Sequence, residues 1–135
     1  MYLKKQTMLK SHIIFILIVF SVSVISCKKI KLDKLEDTWK LTKVSETEYA
    51  DVFEIWDFKN GTLTRMVKND TISLLDTLDV CQYELILYQG PTHVQLKGCS
   101  EIIHNGDWKV VKLRSSVMVL LSRRDHEFLY REFEK

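Results

Sequence analysis

Proline and glycine are scarce in this chain, one Pro and four Gly among 135 residues. That leaves no room for a collagen-like repeat or a low-complexity linker. Long apolar runs are missing too. The greasiest stretch, Ile13 to Ile25, holds 13 residues, two of them serines, where a membrane-spanning helix needs about 20. There is no surplus of one charge either: 20 Lys and Arg face 18 Asp and Glu, which gives nucleic acid no electrostatic footprint. Catalytic patterns are equally sparse. Past residue 26 the histidines are His93, His104 and His126, and no pair falls at metal-ligand spacing. No Gly-x-Ser-x-Gly elbow, phosphate-cradling glycine loop or Cys–His pair with an orienting acid occurs. The carboxylates Asp51, Glu54, Asp76 and Asp79 sit in polar stretches where a solvated surface role is expected, and His104 reads as a solvated strand end. The sequence therefore predicts no enzymatic activity, no metal and no cofactor.

What is present begins at the N-terminus. Lys4, Lys5 and Lys10 precede the apolar run, and Ser26 and Cys27 close it. A basic start, a short apolar core and a small residue ahead of the cleavage point define an export signal. Val24-Ile25-Ser26-Cys27 resembles the lipobox of bacterial lipoproteins, with an aliphatic residue three before the cysteine and a small one just before it. The resemblance implies cleavage between Ser26 and Cys27 and acyl chains, palmitate among them, on Cys27, which fix the protein to a membrane. Lys28 rather than Asp follows the cysteine, and this favours the outer membrane. An uncleaved helical anchor is the alternative, and it too would tether the domain. Lys28, Lys29, Lys31 and Lys34 either lie against anionic head groups, at about 1 kcal/mol each, or form a solvated tether. Loss of residues 1–26 removes three lysines and no acid, leaving 17 cations against 18 anions in 109 residues. That is one near-neutral domain with one core: residues 1–26 as signal, 27–36 as lipidated tether and 37–135 as the folded body.

The body reads as β throughout. Trp39 to Val44 alternates apolar and polar residues, as a half-buried strand should. Val52 to Phe58 is aromatic and β-branched. Asn60-Gly61 then separates it from Thr62 to Val67, a strong hairpin signal because both turn positions need positive φ. Further runs fall at Thr71–Leu75, Cys81–Tyr88, Thr92–Lys97, Trp108–Leu113, Val117–Ser122 and Glu127–Phe133, separated by turn residues. Only Leu32 to Asp37 looks helical. Eight or nine short antiparallel strands predict an all-β, up-and-down barrel.

Leu35-Glu36-Asp37-Thr38-Trp39-Lys40-Leu41, Phe58-Lys59-Asn60-Gly61-Thr62-Leu63, Gly106-Asp107-Trp108-Lys109-Val110 and the closing Tyr130 to Lys135 resemble the small bacterial lipocalin-like lipoproteins. The likeness spans Leu35 to Lys135 and implies a small lipocalin-like barrel in the envelope. Asp37 stands where larger lipocalins carry the Gly of Gly-x-Trp. The two Trp-Lys-apolar strands, from Trp39 and Trp108, echo each other, and each Trp is expected to plug a barrel end.

With Cys27 acylated, Cys81 and Cys99 remain as an even pair in an exported domain. They lie symmetrically about Gly90, so a hairpin turning at Gln89-Gly90-Pro91 brings them opposite each other. That register mixes Leu85 with Gln95. A one-residue slip to Leu85–Leu96 and Leu87–Val94 restores an apolar face, and a bulge at Gly98 then returns Cys99 to Cys81. A disulfide is expected, two buried thiols being the alternative.

Two functions fit these residues. By analogy with lipocalins, the barrel binds a small hydrophobic ligand, with Trp39, Trp56, Tyr83 and Trp108 as candidate contacts. Alternatively Trp39, Phe53 or Trp56, Phe58, Tyr83, Trp108, Phe128 and Tyr130 fill the interior, and the protein is a non-enzymatic interaction module for an envelope protein. An eight-stranded barrel is just wide enough for either.

Overall fold

A computed structural model describes residues 27–45, 53–69, 74–87, 90–125 and 127–135. The expected signal peptide with Ser26, the residues Asp51 and Val52, the run from Thr71 to Ser73, Tyr88, Gln89 and His126 lie outside the described residues. Two units are present, Met1–Lys31 and Leu32–Lys135. In the first, the described residues 27–31 are helical and Cys27 is an exposed free thiol. No described helix is long and apolar enough to cross a membrane.

The second unit holds a closed eight-stranded barrel in which every strand pairs antiparallel with its sequence neighbour and β8 returns to β1. The strands are β1 (Thr38–Val44), β2 (Glu54–Lys59), β3 (Thr62–Asn69), β4 (Leu74–Ile86), β5 (His93–Lys97), β6 (Gly106–Leu113), β7 (Val117–Arg124) and β8 (Glu127–Glu134). The nine-run alternative resolves to eight strands because β4 is continuous through the polar stretch Asp76 to Asp79. Its extra residue, Leu78, is a bulge: Arg65 pairs with Asp79 but Met66 with Thr77. Similar one-residue shifts fall at Thr42 in β1 and Val111 in β6. Each bulge bends its strand and increases its twist, which a sheet needs in order to close on itself. The Asn60-Gly61 hairpin forms as expected, with φ of 50° and 77°.

Alternation along the strands delivers the interior. Trp39 and Leu41, Trp56 and Phe58, Cys81, Tyr83 and Leu85, Val94 and Leu96, Met118 and Leu120, and Leu129 and Phe133 all point inward. The barrel has two differently built ends. At the end where β1 begins, Leu35 is buried beneath Trp39, and the Trp39 Nε1–H donates to the Leu35 carbonyl at 2.9 Å. Glu36 there accepts from the Asn60 amide and the Tyr83 hydroxyl. At the opposite end Trp108 opens β6, and its Nε1–H donates to the His104 carbonyl, also four residues back. The two echoing strands thus plug opposite ends with one device.

The β4–β5 register departs from the expected slip. Leu85 pairs with Val94 and Tyr83 with Leu96, a shift in the direction opposite to Leu85–Leu96. Either shift unites apolar residues on the same inner faces, and this one sets Tyr83, whose ring centroid lies 5.1 Å from that of Phe58, level with Leu96. Gly98 does turn the chain, at φ +72°, and Cys99 reaches Cys81 to form the disulfide.

Gly61→Ala is the direct test of the hairpin. The added Cβ meets no close contact, so only the left-handed backbone is penalised. Its urea midpoint should fall with unchanged slope, by the equivalent of about 1–2 kcal/mol.

Candidate functional site

The four nominated aromatics occupy the barrel interior, where Trp56 packs edge-on against Trp108 and Tyr83 against Phe58. Trp39, Trp56 and Trp108 are fully buried and Tyr83 nearly so. Trp56 sits at the centre, within 5.0 Å of Phe133, 5.5 Å of His104 and 6.4 Å of Trp108 between ring centroids. Of the alternatives Phe53 and Trp56 it is Trp56 that lies inside; Phe53 and Phe128 lie on the outside with more than half their surface exposed, and Tyr130 faces outward beside Glu132. Strand parity places Phe53 and Phe128 on the face opposite their inward neighbours Glu54 and Leu129.

Charged groups take up the space those aromatics leave. Arg65 is completely buried, and Glu54, Asp79, His104 and Arg131 nearly so. This corrects the expected surface roles, since Glu54 and Asp79 are not solvated and His104 is not a strand end in water. The guanidinium of Arg65 donates from Nε and Nη2 to the two Glu54 oxygens at 3.2 and 2.9 Å. Its Nη1 stands 3.7 Å from Asp79 and its Nη2 3.6 Å from Glu101. Trp56 Nε1–H donates to the same Glu54 carboxylate at 2.8 Å. Arg131 lies over the Trp108 ring at 5.6 Å.

A cap covers this end. Gly98 leads the chain out of β5, and a 3-10 turn, Ile102–His104, brings it back to β6. Three attachments hold it: the Cys81–Cys99 disulfide, the Asp79 carboxylate accepting from the Ser100 amide and hydroxyl at 2.8 Å, and the Asn105 side chain bonding both the amide and the carbonyl of Cys99. His104 hangs from this turn into the core, its Nε2 3.1 Å from half-exposed Glu101.

The electrostatics follow from burial and pairing. Burial alone would raise Glu54, but the hydrogen bond and charge of Arg65 and the bond from Trp56 hold its pKa below the usual range. Asp79 is likewise held low against its burial, by Ser100, the Val80 amide and Arg65. Burial, assisted by the Arg65 charge, pushes His104 down to about 4. Tyr83 is pushed up by burial and by donating its hydroxyl to Glu36. The Arg65 guanidinium is hydrogen-bonded through Nε and Nη2, while its Nη1 and the His104 Nδ1 are buried without a hydrogen-bond partner among the described residues. Among the described residues, one trio could place ligand atoms within 4.8 Å, Asp79, Cys81 and Cys99, but its two sulfurs are bonded to each other.

Two open grooves of about 310 Å³ each lie on the outer wall. One is lined by Lys40, Phe53, Ile55 and Lys68, with Glu54 beneath. The other runs over β5 to β8 past His93, Asp107, Lys109, Leu121, Arg123 and Phe128. Sequence reasoning missed both, and it missed Arg65 and Arg131. Their signal was parity: Arg65 follows Leu63 by two, and Arg131 lies two from both Leu129 and Phe133.

Arg65→Met leaves the buried Glu54 carboxylate without its counter-ion and should cost about 3–5 kcal/mol in urea unfolding, much of it regained in Arg65→Met/Glu54→Leu. Stability should also fall on acidification. His104, Glu54 and Asp79 all have depressed folded pKa values, so the unfolded chain binds more protons. The His104 contribution is complete above about pH 6.5 and is lost as pH falls toward about 4. His104→Gln should flatten the slope in that window, which one proton sets at up to about 1.4 kcal/mol per pH unit.

No family model, curated protein or solved structure matches the chain, and its function is read from this geometry.

Proposed function

We propose that the protein is a lipid-anchored lipoprotein of the bacterial envelope whose wall, rather than its interior, does the binding: a filled lipocalin-like barrel that acts as a non-enzymatic interaction module. The observation that carries this reading is the packed interior. Three tryptophans, Phe58, Phe133 and two buried arginines fill the barrel, and an eight-stranded barrel has room for its own side chains or one small ligand. The apolar surface left to act lies outside. Phe53, Leu75, Leu78 and Val80 are all exposed, and neighbouring exposed apolar residues mark a contact surface more often than scattered single ones do.

The anchor rests on the residues before and at Cys27, whose exposed thiol is open to acylation. One acyl chain gives marginal membrane binding, and stable anchoring needs more than one.

Expression of the full chain in a diderm host with labelled palmitate tests the anchor: label should enter the protein and be lost in Cys27→Ser. Native mass spectrometry of the same preparation tests the filled interior. A polypeptide mass carrying only the lipid modification is expected. A reproducible extra mass that organic extraction removes would restore the small-ligand reading.

A further inference from the structure

We infer that the outer wall of β1 to β4 docks a partner protein through a segment that carries an apolar anchor between carboxylates. The inference rests on the interaction-module reading and names the face and the partner's chemistry.

The register assembles the wall. Lys40 pairs with Ile55, Ile55 with Met66 and Met66 with Thr77, so these form one row across four strands. In the next row Phe53, just ahead of β2, stands level with Lys68, which pairs with Leu75. Val80, paired with Thr64, and the bulged Leu78 continue the apolar surface along β4. The groove of about 310 Å³ between Lys40, Phe53, Ile55 and Lys68 lies within it. Phe53 is 63% exposed, Val80 56% and Leu75 48%. Water around so much adjoining apolar surface is released when a partner covers it.

Charge selects the partner. The exposed charges that line the groove are both cations, Lys40 and Lys68, with exposed Glu134 of β8 paired beside Lys40 at its edge. The carboxylate beneath them, Glu54, is buried and matched by Arg65. Asp76 pairs with Val67, in the row of inward Glu54 and so on the other parity from the wall. Asp57 lies on the wall, but toward the end where β1 begins, bonded to the Thr38 hydroxyl. Lys40 already rests 5.7 Å over the Phe53 ring, so cation and aromatic are held together before anything binds. An anchor side chain on Phe53 and Ile55, with an acid on either side reaching Lys40 and Lys68, satisfies the apolar and the cationic parts at once. The β5–β8 groove differs in having Asp107 on its rim, which opposes an acidic segment.

The full chain in detergent micelles, titrated into a fluorescein-labelled peptide Asp-Glu-Leu-Phe-Glu-Asp, tests this by anisotropy. Saturable binding is expected, weakened at least tenfold in Lys40→Glu/Lys68→Glu and in Phe53→Ser, and unchanged in Phe128→Ser. All these sites are exposed, and an unchanged thermal midpoint will show that each variant folds. Absence of binding, or equal binding by every variant, overturns the inference. So does binding to phosphatidylcholine–phosphatidylglycerol vesicles with the same variant dependence when the peptide fails, because the face would then contact lipid. A photo-crosslinker placed at Phe53 or at Phe128 in the native envelope separates the face from the module. Adducts at 53 that the peptide competes away support the face. Adducts confined to 128 overturn the face and keep the module, and their absence at both positions removes both.

Discussion

A closed eight-stranded barrel has one interior, and whatever fills it decides what the protein can do. Closure through the β1–β8 pairing removes free sheet edges, and the narrow bore then has to be packed by side chains or by a guest. Here indole rings and guanidinium groups lie buried in that interior. An arginine is an unusual filler, because a buried unpaired cation is very costly. Arg65 is tolerated because Glu54 meets it with two hydrogen bonds and Asp79 and Glu101 stand close by. Such a network is weak evidence for stability as such, since well-packed apolar residues often serve as well. Its effect is to fix positions. The carboxylate of Glu54 orients Trp56, and that of Asp79 orients the cap through Ser100.

The two ends reach closure by related means. Trp39 and Trp108 each begin a strand, each lie fully buried, and each donate an indole N–H to a carbonyl four residues earlier. A short helical segment before the strand supplies that carbonyl, residues 32–35 in one case and the 3-10 turn in the other. A buried indole needs an acceptor for its N–H, and a turn folded back under the ring provides one without any additional side chain. The ends differ in what fastens the turn. At the β1 end Glu36 ties it to the Asn60 amide and the Tyr83 hydroxyl. At the other end a covalent bond, a carboxylate and an amide side chain share the task.

The barrel class, the strand order, the Asn60-Gly61 hairpin, the Trp plugs and the Cys81–Cys99 bond were legible in the sequence. Each rests on local chemistry: period-two alternation, a turn needing positive φ, and an even cysteine pair. The direction of the β4–β5 slip was not legible, because moving Leu85 against Leu96 or against Val94 is equally apolar. The two slips lie two residues apart and share one parity on both strands, so alternation does not choose between them. The buried charges were obscured for a different reason. Glu54, Asp79 and His104 lie in polar stretches, and polarity read along the chain says exposed. Parity read across a strand says otherwise, since Glu54-Trp56-Phe58 and Leu63-Arg65 share faces.

Filling the core with charge pushes apolar surface outward, and the exchange is visible strand by strand. On β2 the inward positions are Glu54, Trp56 and Phe58, while Ile55 faces out and Phe53 stands exposed ahead of the strand. On β4 Asp79 goes inside and Leu78 and Val80 stay outside. A one-residue slip of either strand would bury those apolar groups and free the acids, yet it would also expel Trp56 and Phe58 from β2 and Cys81 and Tyr83 from β4. Interior packing and the disulfide therefore hold the register against the local preference of these residues. Exposed apolar surface at those positions is the consequence of that conflict, and Lys40 and Lys68 stand beside it on the outer wall.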